Sequence, residues 1–138
     1  MRRLAAALAF SSVLSGAPAA AAWDVDAFRV ANTLEFETLS QEGESHWSTV
    51  WVVVLDDQVY LRLGDRAANR LQTNATGPIV EIRLGDETFD RVRAEPAPEM
   101  TEAVARAMGE KYWTDLLIRY FPHPLTVRLV PPPPPSTP

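Results

Sequence analysis

Three arginines and two hydroxyl side chains are the residues of this chain whose types and spacing could bind an anion. In chain order they are Ser48, Thr49, Arg62, Arg66 and Arg70. The hydroxyls fall on one predicted strand, the first arginine on the next, and the other two one turn apart on a predicted helix. Guanidinium and hydroxyl groups are ordinary ligands of phosphate and carboxylate. The alternative is that the arginines pair with nearby acids such as Asp65 at the surface, which would stabilise the fold little.

A predicted β-hairpin over residues 46–63 and the short helix after it would bring these side chains together. Residues 50–55 are almost all β-branched or aromatic, which predicts a strand covered on both faces. Residues 56–58 form a polar turn, and residues 59–63 alternate apolar and polar side chains. Gly64 and Asp65 end this strand, and Asp65 is expected to cap a helix over residues 66–74. An anion could bind where the strand end, the free helix N–H groups and the arginines meet.

The rest of the chain supplies the elements that must hold this hairpin. The patterns predict a helix within residues 23–32, strands over Thr33–Leu39, Ile79–Leu84, residues 88–94 and Leu125–Val130, and a helix that opens at Pro96-Ala97-Pro98. The methionines and aromatic residues of this last helix are expected to pack in the core. Residues 113–121 predict one or two further helical turns. Six strands without repeated strand–helix–strand units predict a mainly β (α+β) fold, an antiparallel barrel with flanking helices.

The two ends of the chain differ in composition from its middle. Residues 1–22 combine Arg2 and Arg3, an apolar run and the small residues Ala20-Ala21-Ala22, which predicts a cleavable signal peptide and a periplasmic or secreted protein. The apolar run is too short to remain as a membrane span. Residues 131–138 (PPPPPSTP) predict a disordered polyproline tail. The predicted organisation is a signal peptide at 1–22, one domain at 23–130 and a tail at 131–138.

The charge and composition of the chain exclude several classes of protein. Without residues 1–22 the chain has 116 residues, of which 11 are basic and 18 acidic, giving a net charge of −7. This acidic balance argues against nucleic acid as a partner. No second apolar stretch is long enough for stable membrane insertion. Cysteine is absent, which excludes disulfides, thiolate nucleophiles and cysteine-ligated metals.

Histidine and carboxylate patterns do not indicate a catalytic or metal site. His46 and His123 lie far apart in the sequence with no obvious third ligand, so no metal is expected. No P-loop, dinucleotide fingerprint, nucleophile elbow or zinc-protease motif occurs. Two pairs of neighbouring acids, one on a predicted strand and one in a turn, are expected to be solvated charge. Asn74-Ala75-Thr76 matches a glycosylation sequon that we expect to be empty, given the bacterial-looking signal. The catalytic residues stay unassigned.

Five segments carry a resemblance to a known family. They are LEFETL, STVWVVVLDDQVYLRLGD, IVEIRLGDETFDRVRAEP, GEKYW and LTVRLVP, which fall between residues 34 and 131. In their order they resemble the FMN-binding split-barrel superfamily, which includes the pyridoxamine phosphate oxidases and the deazaflavin-dependent reductases. Within it, the chain is most similar to a family of uncharacterised small bacterial domains. The resemblance implies a six-stranded split barrel, usually a homodimer whose cofactor lies in grooves between the subunits.

The resemblance also implies which residues would hold FMN or a related phosphate-bearing cofactor. Flavin-binding relatives use basic and hydroxyl residues on the second strand and at the junction of the third strand with the helix. The matching positions here are Ser48, Thr49, Arg62, Gly64, Asp65, Arg66 and Arg70. The implied activity is that of a flavin-dependent oxidoreductase, in which the protein positions a cofactor that carries the redox chemistry.

The chain departs from the family pattern at two places. His46-Trp47-Ser48 stands where a basic residue is expected before the second strand. A Gly-Asp-Arg sequence stands where the family has a Ser-Arg-Lys type after the third strand. These departures support an alternative function, a non-catalytic periplasmic module that has lost cofactor binding and takes a small ligand or a partner protein.

Overall fold

The computed structural model describes residues 22–112 and 125–133. Its elements in chain order are α1 (Val25–Val30), β1 (Thr33–Leu39), β2 (Ser45–Leu55), β3 (Gln58–Leu63), α2 (Asp65–Gln72), β4 (Ile79–Leu84), β5 (Glu87–Pro96), a 3₁₀ turn (Pro98–Met100), α3 (Thr101–Lys111) and β6 (Leu125–Val130). The predicted signal peptide apart from residue 22, the helical turns at 113–121, His123 and tail residues 134–138 lie outside the described residues. No helix of the described part is long and apolar enough to cross a membrane.

The six strands form one closed antiparallel barrel in the order β1-β2-β3-β6-β5-β4. Closure comes from β4, which pairs with β1 and places Arg83 opposite Glu35. On its other side β1 pairs with β2 only as far as Thr33, which lies opposite Trp51, so residues 52–55 of β2 extend beyond β1. The predicted fold is confirmed: a mainly β (α+β) six-stranded antiparallel split barrel with flanking helices.

Alternate side chains of each strand fill the barrel. In β1, Leu34, Phe36 and Thr38 are buried, whereas the side chains between them are partly exposed, as the period-two pattern predicted. The helices close the barrel with further apolar side chains. The core includes Phe28, Val52, Leu61, Leu63, Ala68, Leu71, Ile82, Val92 and Val127. Burial of apolar surface in this cluster is a main stabilising contribution to the fold.

Strand β2 is covered on both faces over its second half, as the sequence predicted. Val52 is fully buried in the barrel core, whereas Val53 packs in a second cluster outside the barrel. That cluster includes Val104 and Met108 of α3, so the apolar stripe predicted for this helix is core packing. Helix α3 of the same chain therefore supplies the outer cover.

The predicted capping role of Asp65 is wrong. Gly64 is the N-cap residue of α2, in an extended conformation and without a side-chain hydrogen bond, and Asp65 is the first helical residue. Strand β3 pairs with β6 through Leu63 opposite Leu125, which leaves only Gly64 between strand and helix. The helix therefore begins one residue earlier than the capping propensity of aspartate suggested. Asp65 instead places its carboxylate in the first turn, where the helix dipole favours it.

Two strands are longer than predicted because tertiary pairing extends them. Strand β2 begins at Ser45, which pairs with the last residue of β1. Strand β5 continues to Pro96, which lies opposite Val127 of β6, so the first proline does not break the sheet. The α-helix starts only at Thr101, after the 3₁₀ turn.

Candidate functional site

All seven residues predicted for the cofactor site line one cavity of about 680 Å³ between β2, the end of β3 and the start of α2. They are Ser48, Thr49, Arg62, Gly64, Asp65, Arg66 and Arg70. The volume falls in the range of roughly 300–1,000 Å³ that small-molecule sites occupy. The fold thus brings the predicted residues together, and their role in holding a cofactor stays a prediction.

Five further residues of the described part of the chain line the cavity and were not in the predicted site. They are Thr33, Trp47, Val50, Trp51 and Ala67. Strand periodicity could have identified Trp47 and Trp51, because each lies two residues from Thr49 and shares its face of β2. Thr33 joins the site because β1 pairs it opposite Trp51. That long-range register leaves no local signal in the sequence.

The first turn of α2 presents backbone N–H groups to the cavity. The carbonyl of Gly64 accepts the first helical hydrogen bond, from the N–H of Ala68 at 2.9 Å. The N–H groups of Asp65, Arg66 and Ala67 therefore have no acceptor within the helix, and all three residues line the cavity. Unpaired N–H groups and the helix dipole together favour an anion at this position, although the Asp65 carboxylate opposes a second negative charge.

The arginines of α2 lie beside the hydroxyl groups of β2. Arg70 Nη1 donates to Ser48 Oγ at 3.3 Å, which connects the helix to the strand. Neither Arg66 nor Arg70 forms an ion pair with a carboxylate of the described residues. The alternative of surface ion pairing therefore fails for these two. Among the described lining residues there are three arginines and one acid, Asp65. Arg66 and Arg70 therefore bring positive charge to this cavity of an acidic protein.

Each tryptophan of the cavity packs against a side chain from another element. The guanidinium of Arg83 in β4 lies over the Trp47 ring, 4.0 Å from its centroid. Arg83 in turn pairs with Glu35 of β1 at 3.3 Å. Trp51 packs against Tyr112 at the end of α3, with ring centroids 5.9 Å apart. The two indoles are therefore held from outside the cavity that they line.

The end of α3 is fastened to backbone carbonyls beside the cavity. The Tyr112 hydroxyl donates towards the carbonyl oxygens of Val52 and Asn32, at 2.6 and 2.5 Å. Lys111 Nζ donates to the carbonyl oxygens of Val52 and Ala31, at 3.0 and 2.6 Å. Loss of hydration lowers the pKa of Lys111. It raises the pKa of Tyr112, partly opposed by the hydrogen bond to Val52. The two side chains fix the strand next to the cavity.

The possible metal-binding and glycosylation residues can be located within residues 22–112 and 125–133. No group of three or more histidine and acidic side chains that could hold a metal ion occurs in this part of the chain. Asn74 is 6 % exposed, its Oδ1 accepts from the N–H of Leu39 at 2.7 Å, and its amide nitrogen donates to Thr76, Gly77 and Ile79. The sequon asparagine is thus a buried loop anchor.

Comparisons with known proteins agree on the fold. The crystal structure of HutZ, described as the heme storage protein from Vibrio cholerae, is similar with a TM-score of 0.61 and 21 % identity, over 79 % of this chain and 87 % of that one. The conserved hypothetical protein Rv2991 from Mycobacterium tuberculosis is similar with a TM-score of 0.56 and 20 % identity, over 78 % and 77 % of the two chains. No family model matches, and no match was found among the curated proteins. Likeness at this identity establishes the split-barrel fold alone.

Proposed function

We propose that the cavity binds a small molecule through a phosphate or carboxylate group, with FMN as the first candidate. The observation that carries the proposal is the convergence of Arg66, Arg70 and the first turn of α2 on one cavity. In this proposal the protein is a split-barrel protein of the flavin-dependent oxidoreductase type. A bound flavin would supply the hydride or electron transfer. The residues of this chain would bind the cofactor, orient it and leave one side of it open to a substrate.

The residues present fit a phosphate group. The guanidinium groups of Arg66 and Arg70 offer paired N–H donors, and the α2 N–H groups offer backbone donors. Thr49 adds an exposed hydroxyl to the same cavity. Charge-assisted hydrogen bonds of this kind are each worth about 1.5–3 kcal/mol. The negative Asp65 carboxylate lowers this gain, because it stands in the same first turn as the N–H donors.

Heme is a second candidate, because the similar HutZ structure is described as that of a heme storage protein. The heme carboxylates would suit the same arginines. Heme iron, however, is commonly held by a histidine, cysteine, methionine or tyrosine. None of these residue types lines the cavity in the part of the chain that the structure describes. FMN is therefore the better fit.

A titration with FMN tests the proposal. We expect the variant R66A/R70A to bind FMN about 100-fold more weakly than the wild type, since two charge-assisted contacts to phosphate are lost. Riboflavin, which lacks the phosphate, should bind both proteins equally. The matched control is R93A/R106A, which removes two exposed arginines that do not line the cavity. Flavin fluorescence gives the affinities, and equal FMN affinity in R66A/R70A and wild type would contradict the proposal.

The alternative of a non-catalytic module uses the same cavity without turnover. This module has lost cofactor binding and takes another small ligand or a partner protein, so it predicts no acceleration of flavin reduction by nicotinamide donors. An anaerobic assay of NADH and NADPH oxidation by the protein mixed with FMN separates the two functions. A reduction rate above that of free FMN supports the oxidoreductase, and a rate equal to it supports the binding module.

Export and dimerisation are further parts of the proposal, and they rest on the sequence. Residues 1–22 have the composition of a signal peptide, so we expect the mature protein in the periplasm or the medium, starting at residue 23. The homodimer is supported by the resemblance to dimeric split barrels. Mass measurement of the exported protein checks the cleavage site, and light scattering checks the oligomeric state.

A further inference from the structure

The side chain of Arg70 is held at both of its ends by contacts within the protein. At the backbone end, Ala68 and Leu71 on the buried face of α2 pack in the barrel core and fix the helix. At the other end, Arg70 Nη1 donates to Ser48 Oγ at 3.3 Å. A long side chain that is free in solution loses rotamer freedom when it closes on a ligand. Arg70 has already lost much of that freedom to Ser48.

Ser48 lies in a fixed and mostly buried position. It is opposite Phe36 in the β1–β2 register, and Phe36 is a core residue. Opposed residues of antiparallel strands share a face, so the Ser48 side chain lies on the barrel side of β2. Ser48 is only 8 % exposed, whereas its neighbour Thr49 is exposed. Ser48 is thus suited to accept a hydrogen bond inside the protein, and Thr49 to contact a ligand directly.

The Ser48 hydroxyl orients Arg70 without neutralising it. A hydroxyl oxygen accepts a hydrogen bond but carries no net charge, so the positive charge of Arg70 remains for an anion. Ser48 takes one of the several N–H groups of the guanidinium. Arg70 also lines the cavity and forms no ion pair with a carboxylate of the described residues. Its charge and most of its donors are therefore open to a ligand.

Arg66 differs from Arg70 in this respect. It lies one turn earlier on α2 and lines the same cavity, but it is exposed. Within residues 22–112 and 125–133 its side chain has neither a hydrogen bond nor an ion pair. A ligand would have to order this side chain, and the ordering offsets part of the binding energy. Of these two arginines, Arg70 is therefore the stronger contact for an anion.

We infer that Ser48 is a positioning residue of the anion site, which acts on the ligand through Arg70 and does not contact it. This inference rests on the proposed function and gives the two hydroxyl residues of β2 different roles. Thr49 is a direct contact, whereas Ser48 sets the direction of the Arg70 guanidinium. Ser48 strengthens binding because it lowers the rotamer freedom that Arg70 loses to the ligand.

Titrations with FMN, riboflavin and inorganic phosphate test this role in variants of Ser48. S48A should weaken FMN and phosphate about fivefold, the usual effect of ordering one more long side chain on binding. Riboflavin, which lacks the phosphate, should keep its wild-type affinity. S48T, which retains a hydroxyl, should bind FMN like the wild type, and the isosteric S48V should bind it like S48A. The matched control is S45A, an exposed serine of β2 that is not among the residues lining the cavity.

A double-mutant cycle distinguishes positioning from direct contact. R70A should weaken FMN about 30-fold and R66A about threefold, which together give the loss of about 100-fold expected for R66A/R70A. If Ser48 acts only through Arg70, S48A/R70A should bind FMN like R70A alone. A further loss of about fivefold in S48A/R70A would show that Ser48 contacts the phosphate itself, and it would overturn the positioning role.

The remaining outcomes separate this inference from the proposed function. If S48A and S48V bind FMN like the wild type while R66A/R70A loses it, the positioning role is overturned and the proposed function stands. If S48A weakens riboflavin as much as FMN, Ser48 supports the cavity as a whole, and the positioning role is again overturned. If R66A/R70A binds FMN like the wild type, or if the wild type binds neither FMN nor phosphate, the anion site and the positioning role both fail.

Discussion

Lys111 and Tyr112 at the end of α3 share one acceptor, the Val52 carbonyl, and this makes a specific prediction about stability. Val52 lies opposite Leu61 of β3 in a non-hydrogen-bonded pair. Its backbone N–H and carbonyl therefore point away from β3. Its N–H donates to the carbonyl of Asn32 at 3.2 Å. Its carbonyl accepts from both Lys111 Nζ and the Tyr112 hydroxyl. Either side chain alone can therefore satisfy the Val52 carbonyl.

The cost of each single substitution follows from this redundancy. Tyr112→Phe removes one donor, yet the Val52 carbonyl keeps Lys111 and the Asn32 carbonyl keeps the Val52 N–H. We expect a loss of about 1 kcal/mol, the net value of one hydrogen bond without an orphaned partner. Lys111→Met leaves the Ala31 carbonyl without this donor but also removes a partly desolvated charge, so it should cost about 1–2 kcal/mol. The double variant deprives a buried carbonyl of both donors, which costs about 1–3 kcal/mol in addition.

Urea unfolding of the four proteins measures the coupling in this double-mutant cycle. We expect the double variant to lose at least about 1 kcal/mol more than the sum of the single variants. A control cycle of Tyr112→Phe with Arg106→Ala, whose exposed side chain lies on the same helix, should be additive within about 0.5 kcal/mol. If the Lys111–Tyr112 cycle is equally additive, the two side chains do not share the Val52 carbonyl, and the reasoning is refuted.

Two further predictions concern the loop anchor and alkaline pH. Asn74→Ala should destabilise the fold by about 2–3 kcal/mol in urea, because it orphans the N–H of Leu39 and removes the donor to the loop at residues 76–79. Asn74→Asp keeps the acceptor for Leu39 but turns a negative oxygen towards the carbonyl oxygens of Gly77 and Ile79 in a buried position, so it should lose at least as much. The pKa of Tyr112 is raised above 10.0, so its contribution to stability is complete below pH 10 and lost as pH rises through the folded pKa. The pKa of Lys111 is lowered below 10.5, so its cost is present at neutral pH and is relieved as pH rises from the folded pKa towards 10.5. A plot of Tm against pH near 10 should therefore have a more positive slope in Tyr112→Phe than in wild type, and a more negative slope in Lys111→Met.

The strands were predictable wherever local pattern and turn chemistry agree. Strands β1, β4 and β6 have the predicted bounds, because apolar alternation stops at turn-forming residues on both sides. The order of strands was not predictable in the same way. Arg83 lies opposite Glu35 across 48 positions of sequence, and nothing in either strand specifies that partner. Closure of the barrel follows from burial of all six strands together.

The candidate site was predictable in part, for similar reasons. Arg66 and Arg70 are one turn apart on a short helix, so their shared face follows from helix geometry alone. The cap at Asp65 was misplaced because its side-chain propensity says nothing about where β3 ends. That point is set by Leu63, the last residue of β3 to pair with β6. Trp51 could have been predicted from strand periodicity, because it shares the Thr49 face of β2, whereas Thr33 could not, because only the β1–β2 register brings it to the cavity.

The charged groups beside β2 explain how an acidic protein could bind an anion at the candidate site. The whole chain carries a net charge of −5, which would repel an anion if the charge were spread evenly. At physiological ionic strength, however, exposed charges are screened over about 8 Å. A ligand in the cavity would therefore respond mainly to the groups that line it, which include three arginines and Asp65 among the described residues. Among the described residues, α3 packs on the outer face of β2 beyond Thr49, and the part of β2 beside Arg66 and Arg70 lines the cavity. The position of α3 thus limits which part of β2 would contact the proposed ligand.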